Sequence, residues 1–399
     1  MNYFLTEEQQ MIKDTAREIA QKRIKPVALE YDEKNEFPWE IQKCIAEAGL
    51  FGVYISEQYG GMITEKGSMG IMNLVVAVEE LSKVCGGISL CLAATALGTI
   101  PIILMGNEKQ KQKFLPDLAA GKRIAAFALT EAGAGSDAGG IQTTARRDGN
   151  SYVLNGTKQW ITNGKVAEVY SVIAMTDKAK GARGATAFIV EKGTPGFSFG
   201  KKEDMMGIRA SSTYELVFED CKVPAENVLG KEGMGFISAM RTFDMSRPGV
   251  AAQALGIASG ALEDAVEYAR QRQQFGKPII ANQGLRFLLA DMAIKVETAR
   301  AMVYAVARSI DGGDSKCSKE SAIAKTYASD VAMEVTTDAV QVFGGYGYMK
   351  EYPMEKRMRD AKITQIYEGT NQIQRDVIGL QLVKEAARGA KEWQWLTSE

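Results

Sequence analysis

Apolar positions fall into three zones of different period along the 399-residue chain. From Thr6 to about Gly121 the spacing is helical. Thr6-Glu7-Glu8-Gln9 has the form of a capping box, in which a threonine and the residue three positions on satisfy each other's backbone donors. Met11, Ala16, Ile19 and Ala20 follow at helical intervals. Met72–Val84 carries Val75, Val76, Val78, Leu81 and Val84 on one broad face, and Ile88–Ile103 is small and apolar almost all round, the pattern of a buried helix. The period changes near Arg123. Ile124–Leu129 is a short apolar run, and Tyr152–Ile161 reads as two strands around the Asn155-Gly156 turn. Val169–Met175, Thr186–Val190 and Tyr214–Phe218 continue in β-branched and aromatic residues with no helix between them. From about Gly235 the helical period returns over Gly235–Gln274, Ala281–Asp311, Lys316–Phe343 and a last segment from about Gly369. The order predicts an α+β chain: a helical domain over 1–122, a β domain over 123–234 and a second helical domain over 235–399. The tail Glu392-Trp393-Gln394-Trp395-Leu396 is odd for an exposed end and reads either as a segment that docks on a neighbour or as residues added to the natural chain.

Composition removes several chemistries. The sequence contains no histidine, which excludes Ser-His-Asp and Cys-His nucleophiles and any metal site that needs imidazole. A proton must therefore move through a carboxylate, Lys, Tyr or Cys. Lys+Arg number 48 against 49 Asp+Glu, so no cationic surplus points to nucleic acid. The five cysteines are scattered without a CxxC pair, which argues against a disulfide framework and for a reducing compartment. Met1–Glu8 lacks the basic and apolar regions of a signal peptide, and Ile100–Met105 is too short to span a bilayer. The expectation is a cytoplasmic protein without a membrane span.

Gly133-Ala134-Gly135-Ser136-Asp137-Ala138 matches the dinucleotide fingerprint G-x-G-x-x-A after a strand-like run. Its context does not: Gly139–Ala145 alternates like a strand where a helix is required, and no acidic residue closes a second strand about 20 residues on. The segment reads as a glycine-rich turn whose backbone N–H groups remain available to a phosphate.

Phe127–Asp137, with Thr130-Glu131 and Gly135-Ser136-Asp137, closely resembles the first signature of the acyl-CoA dehydrogenase flavoproteins. Trp160-Ile161-Thr162-Asn163-Gly164, Arg272–Pro278, Gln341–Gly347, Arg359–Ile363 and Tyr367-Glu368-Gly369-Thr370 resemble its later signatures, in family order. The resemblance spans roughly residues 1–385 and is strongest to the short-chain (butyryl-CoA) dehydrogenases, through Arg209-Ala210-Ser211-Ser212 and Ala251–Gly256. It implies the family's fold, with a four-helix-bundle-like C-terminal domain, and FAD as cofactor. Phe127, Leu129, Thr130, Ile161 and Thr162 would meet the flavin edge, Trp160 would lie against the ring, and Ser136 would sit near phosphate or pantetheine. Arg272, Phe275, Gln283 and the Gln341, Val342, Gly344 and Gly345 turn would hold the pyrophosphate and adenosine end across a subunit boundary, with Thr370 and Gln372 also on the cofactor. An arginine fork and a Gly-Gly turn suit that anion.

The resemblance also implies the reaction. Glu368 stands where most of the family carries the base that removes the α-proton of an acyl-CoA thioester, while the β-hydrogen leaves as hydride to the flavin. A dry pocket raises a carboxyl toward neutrality, as that role needs. The base's own backbone N–H would help to hold the thioester oxygen. Some members place the base on the helix that here carries Ser246, which cannot serve. Asp244, Arg247, Tyr367 and Gly369 resemble substrate-contacting positions; Asp244 and Arg247 read equally as an i,i+3 ion pair. Pro248 departs from the family and should perturb its helix.

Cys91, Thr95 and Gly98 fall at i, i+4 and i+7, and as lining of the acyl pocket they would leave a broad cavity for a branched or alicyclic group; close helix packing is the other reading. No arginine occupies that stretch, which disfavours a dicarboxylic acyl substrate. An enoyl-CoA reductase working in reverse would share every site residue. The resemblance further implies a homotetramer and electron-transferring flavoprotein as the electron partner.

Overall fold

The computed structural model of the protein describes residues 3–65, 67–314 and 316–393, so the Glu392–Leu396 tail lies outside the described side chains. Six helices come first: α1 (Glu7–Ile19), α2 (Ala28–Lys34), α3 (Trp39–Glu47), α4 (Ile71–Ser82), α5 (Gly86–Met105) and α6 (Glu108–Ala119). Eight strands follow: β1 (Ala125–Ala128), β2 (Thr144–Asp148), β3 (Ser151–Thr162), β4 (Val169–Met175), β5 (Ala185–Glu191), β6 (Phe197–Lys202), β7 (Thr213–Pro224) and β8 (Val228–Leu229). The chain then returns to helix: α7 (Gly235–Gln271), a small β9–β10 hairpin (Gln273–Gln274 with Lys277–Pro278), α8 (Gln283–Asp311), α9 (Ser318–Phe343), α10 (Met354–Thr364) and α11 (Asn371–Trp393).

α1 starts on its capping box, with both reciprocal bonds between Thr6 and Gln9 formed. Its inward face runs through Ile12, Ala16 and Ile19; Met11, placed on that face by spacing, is 69% exposed and one position out of phase. α4 begins after Gly70, which has no side chain to cap with. Asp311, at the end of α8, does so from a distance, accepting from the Ile71 and Met72 amides at 2.8 Å each. Fully buried Glu79 of α4 joins the same two regions through Arg300 Nε (2.9 Å) and Tyr304 OH (2.7 Å).

α5 corrects one expectation. Its 20 residues are long and apolar enough to cross a bilayer by length and composition. Its neighbours account for that composition, because it packs against α4, α7, β1 and β4 and is mostly buried. A Cβ on Gly98 would lie 2.5 Å from the Ala126 amide nitrogen, so β1 approaches this closely only because the residue is glycine.

The strands form one sheet in the order β6-β7-β3-β2-β4-β5-β8, with β1 added parallel to β4. Tyr152–Ile161 belongs to one strand rather than two. The β2–β3 turn lies earlier, at Gly149-Asn150, where Gly149 has φ +58. Asn155-Gly156 is instead an irregularity in the pairing with β7: Asn155 exchanges side-chain bonds with Asp220, and Gly156 (φ +143) leaves room for Thr143. The glycine-rich 133–140 segment contains only a 3-10 turn, Ala138–Gly140, before β2. No α-helix follows it, so the dinucleotide geometry is absent there.

α9 packs against α7, α8, α10 and α11 to build the C-terminal bundle. Pro248 lies inside α7, yet the helix continues through it, contrary to the expected disruption. A proline has no N–H for the carbonyl four residues back. That carbonyl, of Asp244, accepts instead from Ser321 Oγ of α9 at 2.8 Å.

Candidate active site

α5, α7, the β1 and β3 ends and the loop between α10 and α11 enclose a cleft of about 890 Å³, part of it open to solvent. Its walls are mostly apolar, with Leu74, Leu90, Ala93, Ala94, Leu97 and Ile100 on the N-terminal side and Phe243, Gly249 and Val250 on α7. Among the lining residues Glu368 is the single ionisable carboxyl.

The loop that carries Glu368 has an unusual backbone. Glu368 (φ +52) and Gly369 (φ +93) are both left-handed, a conformation that costs a non-glycine residue free energy. Donors from three helices hold it. Gln374 Nε2 of α11 donates to the carbonyls of both Glu368 and Gly369 at 3.0 Å, Lys325 Nζ of α9 to Gly369 at 2.9 Å, and Arg247 Nε of α7 to Glu368 at 3.4 Å. Thr370 then caps α11, accepting from the Ile373 amide. The Glu368 N–H has no intramolecular acceptor among the described residues, so it remains a free donor at the cleft.

Glu368 Oε2 accepts from Ser246 Oγ at 2.5 Å. Burial pushes the carboxyl up to about 7, and the Ser246 bond and the charges of Arg247 and Lys325 oppose that rise without cancelling it. Tyr367 beside it is driven well above its ordinary range, first by burial and then by Glu368, and its hydroxyl donates to Gln253.

The opposite edge of the cleft fits a flavin. Phe127, Leu129, Thr130, Trp160, Ile161 and Thr162 all line it. Neither threonine hydroxyl has an intramolecular partner among the described residues, which leaves two hydroxyls for a polar ring edge. Trp160 is 52% exposed and left-handed (φ +59), which turns a large flat ring out at the cleft instead of into the core. Beneath this edge lies a buried pair the sequence reading missed. Lys158 Nζ donates to the Leu129 carbonyl (2.8 Å) and Glu131 (2.7 Å), while Glu131 also accepts from the Gln142 and Thr143 amides. Burial lowers Lys158 to about 8. For Glu131 burial acts upward, but Lys158 and the donors outweigh it and hold the carboxyl low. A lysine at an inward phase of a strand was the available signal.

Several expected positions lie elsewhere. Cys91, Thr95 and Gly98 occupy the face of α5 turned away from the cleft. Thr95 donates to the Cys91 carbonyl and accepts from Asn163, and Gly98 meets β1, so the packing reading holds and the broad-cavity argument loses its basis. Asp244 and Arg247 form the i,i+3 ion pair (3.1 Å) under the Glu368 loop; neither lines the cleft, because Arg247 is buried and Asp244 also accepts from Ser318. Ser136 sits exposed in the glycine-rich loop, and Gln372 is exposed on α11; neither lines the cleft.

A second cleft of about 820 Å³ brings Arg272 together with Val342, Gly344 and Gly345, and the Arg272 guanidinium lies 5.5 Å from the Tyr346 ring centroid. Gln341 and Gln283 are exposed nearby in sequence but outside its lining, and Phe275, at the β9–β10 hairpin tip, is 96% exposed. The two clefts have no lining residue in common.

Three family models match the chain: acyl-CoA dehydrogenase, N-terminal domain, over residues 6–122; middle domain over 126–221; and C-terminal domain over 233–383. The chain is 51% identical over 386 residues to the short-chain specific acyl-CoA dehydrogenase of Megasphaera elsdenii, which covers 96% of this chain and 100% of that one. The structure of butyryl-CoA dehydrogenase from the same organism matches with a TM-score of 0.93 over 96% of this chain and 100% of that chain. A chain in a structure of the electron transferring flavoprotein of Acidaminococcus fermentans, directed at flavin-based electron bifurcation, matches at 53% identity and TM-score 0.92, covering 96% and 99%. Acryloyl-CoA reductase (NADH) of Anaerotignum propionicum is 48% identical over 386 residues, 96% of each chain.

Proposed function

Because this chain belongs to the acyl-CoA dehydrogenase family, we propose that it is an FAD enzyme that desaturates a short-chain acyl-CoA thioester between Cα and Cβ. The observation that carries this reading is a carboxyl near neutrality, the single ionisable carboxyl of a mostly apolar cleft that also has an edge suited to a flat heterocycle. Glu368 takes the α-proton; its burial keeps the carboxylate basic enough to do so. The free Glu368 N–H donates to the thioester oxygen, where negative charge develops. Ser246 and Arg247 hold the base and its peptide in place. Phe127, Leu129, Thr130, Trp160, Ile161 and Thr162 would hold FAD, which would supply the hydride acceptor. The apolar walls exclude water, and the lack of a cation among them disfavours a second carboxylate on the acyl group. The likeness to butyryl-CoA dehydrogenase supports a short linear chain.

The test is anaerobic bleaching of the flavin by butyryl-, isobutyryl-, cyclohexanecarboxyl- and glutaryl-CoA. Butyryl-CoA should bleach fastest and glutaryl-CoA not at all. Glu368→Gln should keep FAD, bind acyl-CoA and lose bleaching by orders of magnitude; bleaching near the wild-type rate would remove the assignment. The acryloyl-CoA reductase relative favours a second reading, the reverse reaction, in which Glu368 returns the proton to Cα. Faster reoxidation of the reduced enzyme by an enoyl-CoA than reduction by the acyl-CoA would select it.

We further assign electron exit to electron-transferring flavoprotein, assembly to a homotetramer and location to the cytoplasm. The exposed apolar side chains Phe275, Phe287, Ile294, Leu380 and Val383 support a covering copy. Arg272 with the Gly344-Gly345 turn suits the pyrophosphate of a neighbour's FAD. Dilution to monomers should therefore release FAD, and a monomer that retains it would count against this assembly. All five cysteines are free thiols, in keeping with a reducing compartment.

A further inference from the structure

Lys325 lies on α9 among Ser321, Ala322, Ala324, Ala328 and Ser329, a face of small residues packed into the bundle. Its side chain is wholly buried, yet it has no carboxylate partner within salt-bridge distance among the described residues. Nζ donates to two neutral oxygens: the Gly369 carbonyl at 2.9 Å and Asn371 Oδ1 at 2.9 Å. Asn371 is itself fixed, because its Nδ2 donates to Ser329 Oγ (2.8 Å) and Asp330 Oδ1 (2.7 Å). A buried ammonium without a counter-ion is expensive, and a methionine of similar length would fill the same space at no such cost. What sets this site apart is where the cation points: at the Gly369 carbonyl, one peptide beyond the base.

We propose, on the reading that Glu368 is the base, that Lys325 is a positioning residue for it: its bond to the Gly369 carbonyl fixes the left-handed peptide that carries the base, and its charge favours the carboxylate form that accepts the proton. The charges around Glu368 separate its contribution from the others. On α7, Arg247 also draws the Glu368 carboxyl downward by its charge, but it is itself paired with Asp244 and reaches the base's peptide through the Glu368 carbonyl. Ser246 contributes a hydrogen bond and no charge. Cys317, at the start of α9, and Tyr367, on the base's own loop, are both held neutral by burial. Asp330, five residues further along α9, is itself paired with Arg375 at 2.7 Å. Lys325 is thus the cation near the base with no anion of its own. Burial lowers it to about 7, with Glu368 the foremost group opposing that fall, so the two titrate as partners.

The experiment uses the FAD-loaded protein with Lys325→Met, which removes donor and charge, and Lys325→Gln, which keeps a donor toward Gly369 and removes the charge. Flavin bleaching by butyryl-CoA is followed in the stopped flow across pH. In both variants the pH of half-maximal rate should rise by about one unit, the low end of the effect of a nearby opposite charge. That gives about a tenfold loss on the acid limb, with acyl-CoA affinity within about twofold of wild type. Lys325→Met should lose more than Lys325→Gln at alkaline pH, where only the anchor matters. The same displacement is read without turnover from the infrared carboxyl stretch of Glu368, assigned by its absence from Glu368→Gln. An unmoved pH profile and carboxyl titration in both variants would overturn the proposal, and so would loss of FAD from both, which would make Lys325 a purely structural residue. Glu368→Gln in the same assay separates two failures. Bleaching retained there removes the base itself, whereas an inactive Glu368→Gln beside unmoved Lys325 variants removes only the role of Lys325.

Discussion

Replacing Glu368 by glutamine should stabilise the protein at alkaline pH even as it abolishes the chemistry. Burial lifts the carboxyl from 4.5 to about 7. At about 1.36 kcal/mol per pKa unit, ionising it in the folded protein costs about 3.4 kcal/mol more than in the unfolded chain. Glu368 is only partly buried, so roughly half of that, about 1.5–2 kcal/mol, is the expected net effect. The folded state keeps its proton longer than the unfolded one. Its stabilising contribution is therefore complete below 4.5, declines as pH rises, and is gone above about 7. Glutamine has no proton to lose and still offers an oxygen to Ser246. Variant and wild type should melt together near about pH 5 and separate above about pH 7, with the variant higher. With an unfolding entropy of about 2.1 cal/mol/K per residue, the separation is about 2 °C for a chain of this size. Scanning calorimetry of the FAD-loaded proteins from about pH 5 to about pH 9 measures it. A difference in melting temperature that does not change with pH would refute the reasoning, because the carboxyl would then bear no ionisation penalty.

Three other perturbations probe the surroundings of the site. Ser246→Ala removes the donor that draws the Glu368 carboxyl downward, so the acid limb of the pH–rate profile should move up by about half a unit to one unit, with the alkaline plateau unchanged. Lys158→Met strands buried Glu131 beneath the flavin edge and should cost about 3–5 kcal/mol in chemical denaturation; adding Glu131→Gln should recover part of it. Ser321→Ala leaves the Asp244 carbonyl only the weak Cys317 thiol at 4.0 Å and should cost about 1 kcal/mol, whereas in a Pro248→Ala background, where α7 regains its own N–H, the same change should cost nearly nothing.

What could be read from the sequence was what repeats locally. The capping box at Thr6, the change of period near Arg123 and the motif around Glu368 each depend on residues a few positions apart. The wall of the acyl pocket does not. α5 is apolar on every side, so nothing in its own pattern sets which face meets the cleft, and the small size of Cys91, Thr95 and Gly98, which suggests a pocket wall, serves contact with β1 and Asn163 instead. Asn155-Gly156 carries a strong turn signal, but Asp220 on a strand far along the chain takes up the asparagine and makes it a bulge. The support of the base is equally non-local: Lys325 and Gln374 come from two other helices, and only a lysine set among small, inward residues of α9 hinted at the first.

Pro248 leaves α7 one rung short, and the unclaimed carbonyl is where α9 fastens. A carbonyl inside an intact helical ladder has only its second lone pair for an outside donor, so side-on attachment between helices normally rests on side chains alone. Here main chain meets side chain at a point fixed by the sequence of α7, between Asp244 and Ser321. Ser246 and Arg247 follow on one side of this fastening, and Lys325 follows one turn later on the other. A slip of α9 by a single residue, about 1.5 Å, would break it. The interruption therefore acts as an alignment pin, keeping in step the two helices that grip the Glu368 loop from opposite sides.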